Sequence, residues 1–139
     1  MQHSPFGPAF LFSLGLALFS LGCGGGRQLQ SVTLSPATAD ARNFPDGQVS
    51  FAATGTFTKP PSPQLLTSQD VTWCVGSSAG MCVGNTNPGA TVDQNGMARC
   101  LASFVGTANI LAGKAAMPSA NPDGGSQLTV FGAAKLTCP

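Results

Sequence analysis

In QVSFAATGTFT, residues 48–58, apolar and polar side chains alternate. Val49, Phe51, Ala53 and Phe57 fall on one side, and Ser50, Thr54, Thr56 and Thr58 on the other. A period of two puts successive side chains on opposite faces of a strand, whereas a helix needs apolar residues three and four apart. The pattern recurs along the chain. QSVTLSP presents Val32 and Leu34, and DVTWCV sets Val71, Trp73 and Val75 inward with Thr72 and Cys74 outward. GTANILA adds Ala108, Ile110 and Ala112, and SQLTVF adds Leu128 and Val130 to the same expected core. By its phase, Trp73 reads as a core residue rather than a platform for sugars.

Turn formers separate these runs: Pro45-Asp46-Gly47, Asn95-Gly96 and Asn121-Pro122-Asp123-Gly124. KPPSP, residues 59–63, reads as a stiff extended loop, because each proline fixes its own φ and removes a donor. The chain has no Glu and no Tyr, and charged residues make up only 8% of it, which starves amphipathic helices of polar heads. About seven short strands over roughly 100 residues predict an all-β, single-domain sandwich. Each inward Val, Phe, Ile or Leu contributes about 1.5–3 kcal/mol on burial.

Ahead of the domain, Ala9 to Leu21 reads AFLFSLGLALFSL, without a charge. It is short for a bilayer span, which takes about 20 apolar residues, and it suits the apolar region of a secretory signal. Ser20-Leu21-Gly22-Cys23 then resembles a bacterial lipobox, in which a small residue precedes the cysteine that is acylated and becomes the mature N-terminus. Gly22 and Cys23 carry the resemblance, while Ser20 and Leu21 stand in the reverse of the usual order. It implies a signal peptide over 1–22 and a lipid-attachment site at Cys23, with a Gly-rich linker completing 23–28. Acyl chains hold a protein on a membrane through about 0.8 kcal/mol per buried CH2. Gly24 follows the cysteine where Asp would mark inner-membrane retention, which favours the outer membrane.

Parity agrees with this assignment. The cysteines are Cys23, Cys74, Cys82, Cys100 and Cys138. Giving Cys23 to lipid leaves four in an exported domain, where they read as two disulfides. Of the three possible pairings, Cys74–Cys82 and Cys100–Cys138 are expected. The loop after outward-facing Cys74 is flexible enough to return Cys82, and Cys138 then clips the tail onto the strand of Cys100. Closing these rings stabilises by about 2.6 and about 3.9 kcal/mol in the chain-entropy model.

The segments VTLSPATA, FPDGQVSFAATGTF, VTWCVGS, GATVDQNGMARCLASFVGTANILA and LTV follow one another in an order that resembles the bacterial immunoglobulin-like domain, group 2. This module occurs in intimin- and invasin-like surface proteins. Pro36 after the first strand, Gly47, Val71-Thr72-Trp73, Thr91-Val92-Asp93 with Gly96, and Gly106-Thr107 with Ile110 and Ala112 carry the likeness. It covers residues 29–131, leaves 132–139 as a C-terminal tail clipped by a disulfide, and implies an Ig-like sandwich with a structural or adhesive role.

Residues that could carry chemistry all have plainer explanations. Gly76 to Gly80 matches Gly-x-Ser-x-Gly with Ser78 as nucleophile, but that serine needs a base, and the single histidine is His3, ahead of the cleavage site. The cysteine gaps are too wide for the close pairs of a structural zinc site. Asp93 lacks the closing Glu of an EF-hand and reads as a turn cap. Asp40, Asp46, Asp70 and Asp123 lie in or beside turns, and no pair flanks a sugar site. A net charge of +1 without a basic stripe excludes a nucleic-acid role.

The expectation is therefore a non-catalytic lipoprotein displayed at the bacterial envelope, without metal or cofactor. It is anchored to the membrane by its lipid and binds a protein or glycan through loops. The loops at 59–69 and 76–90 are the candidates, with Lys59, Pro61, Gln64, Ser77, Asn85 and Asn87 as contact residues. The alternative is a carbohydrate-binding or accessory module of an extracellular complex. That role needs exposed aromatics, and Phe44, Phe104 and Phe131 are those the phase leaves available.

Overall fold

Alternation becomes two layers. In the computed structural model, which describes residues 25–83, 89–116 and 125–139, the strands are β1 (Leu29–Ser35), β2 (Thr38–Asp40), β3 (Gln48–Ser50), β4 (Ala52–Phe57) and β5 (Gln64–Leu65), followed by β6 (Thr72–Gly76), β7 (Ala90–Val92), β8 (Met97–Cys100), β9 (Gly106–Ala115) and β10 (Leu128–Cys138). One layer holds β1–β4–β5 and β3–β8–β7, joined because β3 and β4 are successive parts of one strand. The other is β2–β10–β9–β6. Neighbours are antiparallel except β2, which runs parallel to β10 after the chain crosses between layers at Ser35-Pro36, a cis peptide. With β3 and β4 counted as one, the long strands have the ABED and CFG order of an Ig-like sandwich. The short β2 and β5 are additions to the seven expected.

The predicted inward residues meet between the layers. Val32, Leu34, Val49, Phe51, Ala53, Val71, Val75, Ala108, Ile110 and Ala112 are buried in one cluster, with Phe57, Trp73 and Val130 partly buried against it. Both expected disulfides form, with Cα–Cα separations of 5.6 Å for Cys74–Cys82 and 5.7 Å for Cys100–Cys138. The second joins β8 to β10, one strand from each layer, and Cys138 lies in the core. The first lies on the outer face of the β6–β9–β10 sheet. There Cys82, Leu111 and Leu128 are buried, with Cys74 and Phe131 packed against them.

Several expectations need correction. Leu128 and Val130 do not share a face: the register slips between them, with Leu128 opposite Ala115 and Val130 opposite Lys114. A bulge of this kind changes the phase of a strand, so Leu128 joins the outer cluster and Val130 the main core. The strand expected to run through residues 48–58 is interrupted at Phe51, whose N–H goes to the Gly96 carbonyl at 2.9 Å. Residues 132–139 are not a separate tail, because β10 continues to Cys138, paired with β9 throughout. KPPSP is bent rather than extended. The N–H of Phe57 donates to Ser62 Oγ at 2.9 Å, and β5 returns along β4. The turn at 121–124 lies outside the described residues.

Candidate functional site

The chain enters the sandwich at the start of β1, and here the sequence reading missed the central residue. Arg27 lies over the Phe57 ring, 3.5 Å from its centroid. Its Nε donates to the Lys59 carbonyl at 3.2 Å, and its Nη2 donates to the Pro61 carbonyl and to Gln64 Oε1, the latter at 2.6 Å. Lys59 Nζ in turn donates to the Gly25 carbonyl. Below this, Gln28 and Thr58 exchange two hydrogen bonds, N–H to Oγ1 at 3.0 Å and N–H to carbonyl at 2.9 Å. A planar guanidinium suits such a place, because it stacks on an aromatic while its donors point outward in a fixed fork.

Three of the six expected contact residues, Lys59, Pro61 and Gln64, are thus gathered at one point, around Arg27 of the same chain. The register of β1 against β4, Leu29 opposite Phe57, creates this meeting, and no local pattern announces it. Ser77 opens a tight turn, donating its N–H to the Met81 carbonyl at 2.8 Å and accepting that of Gly80 at 3.1 Å. Ser78 is exposed in the same turn, which leads to a β-bridge rather than a helix. Asn85 and Asn87 lie outside the described residues.

Three of the four aspartates in described turns, Asp40, Asp70 and Asp93, serve the backbone. Asp93 Oδ1 accepts the N–H groups of Asn95 and Met97, both at 2.8 Å. Asp70 Oδ2 accepts the N–H and the hydroxyl of Thr67, also at 2.8 Å. The backbone bond from Thr67, then its hydroxyl, hold the Asp70 carboxyl below its ordinary pKa, with a smaller contribution from the Arg27 charge. Asp40 caps the turn at 41–43, accepting the N–H of Arg42, and its carboxylate lies 3.6 Å from Arg42 Nε.

Two grooves open on the described surface. The larger, about 630 Å³, is lined by Arg42, Phe44, Gln48, Arg99, Leu101 and Phe104, among others, at the end away from Arg27. Asp46 shares this lining and Asp40 pairs with Arg42, so its positive charge is mostly balanced. Of the three aromatics that phase left available, only Phe44 is exposed. Phe104 fills the space over Gly89, and Phe131 that over Gly80. Both rings are therefore occupied in packing. The smaller groove, about 340 Å³, opens beside Trp73. No family model matches the chain, and no curated protein matches it either.

Proposed function

We propose that the chain is an exported lipoprotein, tethered through Cys23 at the bacterial envelope, that displays one group 2 bacterial Ig-like domain in a non-catalytic, structural or adhesive role. The observation that carries this reading is the cysteine pairing. All four cysteines of the sandwich are spent in disulfides within it, which leaves Cys23 as the odd one. Disulfides persist in exported proteins and are rare where thiols are kept reduced. The odd cysteine stands behind an apolar run and a glycine, where a lipid would be attached.

The clamp at Arg27 fits a tether. From Cys23 to Arg27 is four residues, which span at most about 14 Å. A domain gripped at Arg27 stands close above the membrane with a defined end toward it, and the larger groove lies at the end facing away.

The intact mass of the protein extracted from native membranes tests this, measured with and without reduction. The expected chain begins at Cys23, carries acyl mass and gains four protons on reduction. A chain that keeps residues 1–22, or begins at Cys23 without lipid, would remove the tether.

A further inference from the structure

The long strand formed by β3 and β4 is incompletely covered along one edge. β8 pairs with it as far as Ser50, and β5 pairs with it from Thr54. Between them, among the described residues, the edge is met only by single hydrogen bonds, Phe51 N–H to the Gly96 carbonyl and Leu66 N–H to the Ala53 carbonyl. The smaller groove lies in this break in the sheet, and Trp73, reaching from the opposite layer, lines it. Gly96 lets the indole come so near: a side-chain carbon there would fall 2.8 Å from Cζ2, and its φ of +80° already disfavours any other residue.

The two walls are fixed from within. Asp93 spends its carboxylate on the turn that carries Gln94 and Asn95, and Asp70 spends its own on the turn that carries Ser68. Among the described residues, no charged side chain lines the groove. The side chains of Ser50, Ser68, Gln94 and Asn95 make no hydrogen bond among the described residues. Leu65, 62% exposed, forms an apolar rim. An indole with apolar neighbours, ringed by unengaged amides and hydroxyls on rigid turns, has the make-up of a small-ligand site. Its chemistry selects a ligand that is uncharged, dense in hydroxyls or amides, and apolar on one face.

We infer that the break beside Trp73 is a binding site for a neutral oligosaccharide, in which the indole meets the apolar face of a pyranose and Gln94 and Asn95 hydrogen-bond its hydroxyl or acetamido groups. The inference gives a ligand class to the adhesive role proposed above and does not depend on the tether.

Trp73 is the only tryptophan and the chain has no tyrosine, so intrinsic fluorescence reports on this groove alone. The full protein in detergent is titrated with chitotetraose, cellotetraose and maltotetraose, with tetragalacturonate and a tetra-alanine peptide alongside. The expected result is a saturable emission change with at least one neutral sugar and none with the uronate or the peptide. Gln94→Ala and Asn95→Ala each weaken it about three- to tenfold, as loss of one hydrogen bond does, with thermal midpoints unchanged. No response to any neutral sugar at millimolar concentration overturns the proposal. So does a response to the peptide alone, or a sugar response that both variants leave intact. Failure here leaves the acyl-mass result standing, and the converse also holds, so the two readings fall separately.

Discussion

Single carboxylates hold the loops of this domain in shape, and Asp70 shows how. It is exposed, yet two donors from Thr67 converge on one of its oxygens, and both favour the charged form. A pKa lower in the folded chain than in the unfolded one means stability that is present above the unfolded value of about 3.9 and drains away as pH falls through the folded value. Solvent screens an exposed group, so the contribution at neutral pH is less than about 1 kcal/mol. Asp70→Asn is therefore expected to lower the urea midpoint slightly at neutral pH, and the two proteins are expected to converge as pH falls toward about 2. Parallel curves over that whole range would mean that the Thr67 bonds do not favour the charged carboxylate.

At the level of strands, close approach decides more than propensity. Gly132 of β10 faces the backbone of β1, and a Cβ there would lie 2.5 Å from the Val32 carbonyl oxygen. No flexible side-chain tip is present to yield, so one strand must move. Gly132→Ala is expected to cost about 1–3 kcal/mol, as overpacking does. Ala133→Ser on the exposed face is expected to stay within about 0.5 kcal/mol. Equal denaturant midpoints for Gly132→Ala and the parent would show that β1 and β10 are free to separate. The same scale explains what could be read beforehand. Val49, Phe51, Ala53, Ala108, Ile110 and Ala112 are buried as their phase required, because alternation is local and one buried face enforces it. Leu128 was misplaced because a bulge shifts phase without any residue that marks it. Leu111 stands out of phase with Ile110 and Ala112, yet it is fully buried, because a disulfide-closed turn distant in sequence covers that face. Trp73 packs partly buried against the core as its phase required, but it also lines the break beside it, which depends on where β8 ends and β5 begins. Arg27 was overlooked for a related reason, since its partners at 57–64 are brought to it only by the register of β1 on β4.

For the whole molecule, the two disulfides act at different levels. Cys74–Cys82 closes a short turn on the outer face, whereas Cys100–Cys138 ties β8 to the last strand across the core and so couples the layers. In the chain-entropy model the long ring is worth about 3.9 kcal/mol and the short one about 2.6. A domain of this size has about 5–15 kcal/mol in total. Replacing Cys100 and Cys138 by Ala is expected to cost about 2–4 kcal/mol and to shift the whole unfolding transition, because the layers are then joined only by packing and by the chain connections between their strands. Replacing Cys74 and Cys82 is expected to cost less globally, yet it loosens the cover over Leu111 and Leu128. The variant should therefore bind a hydrophobic dye under conditions where the rest of the sandwich is intact. Calorimetry with dye binding separates the two effects. Equal losses of stability, with no dye bound by the Cys74 and Cys82 variant, would mean that the outer cluster holds together without its disulfide and that neither ring size nor coupling of the layers sets the two bridges apart.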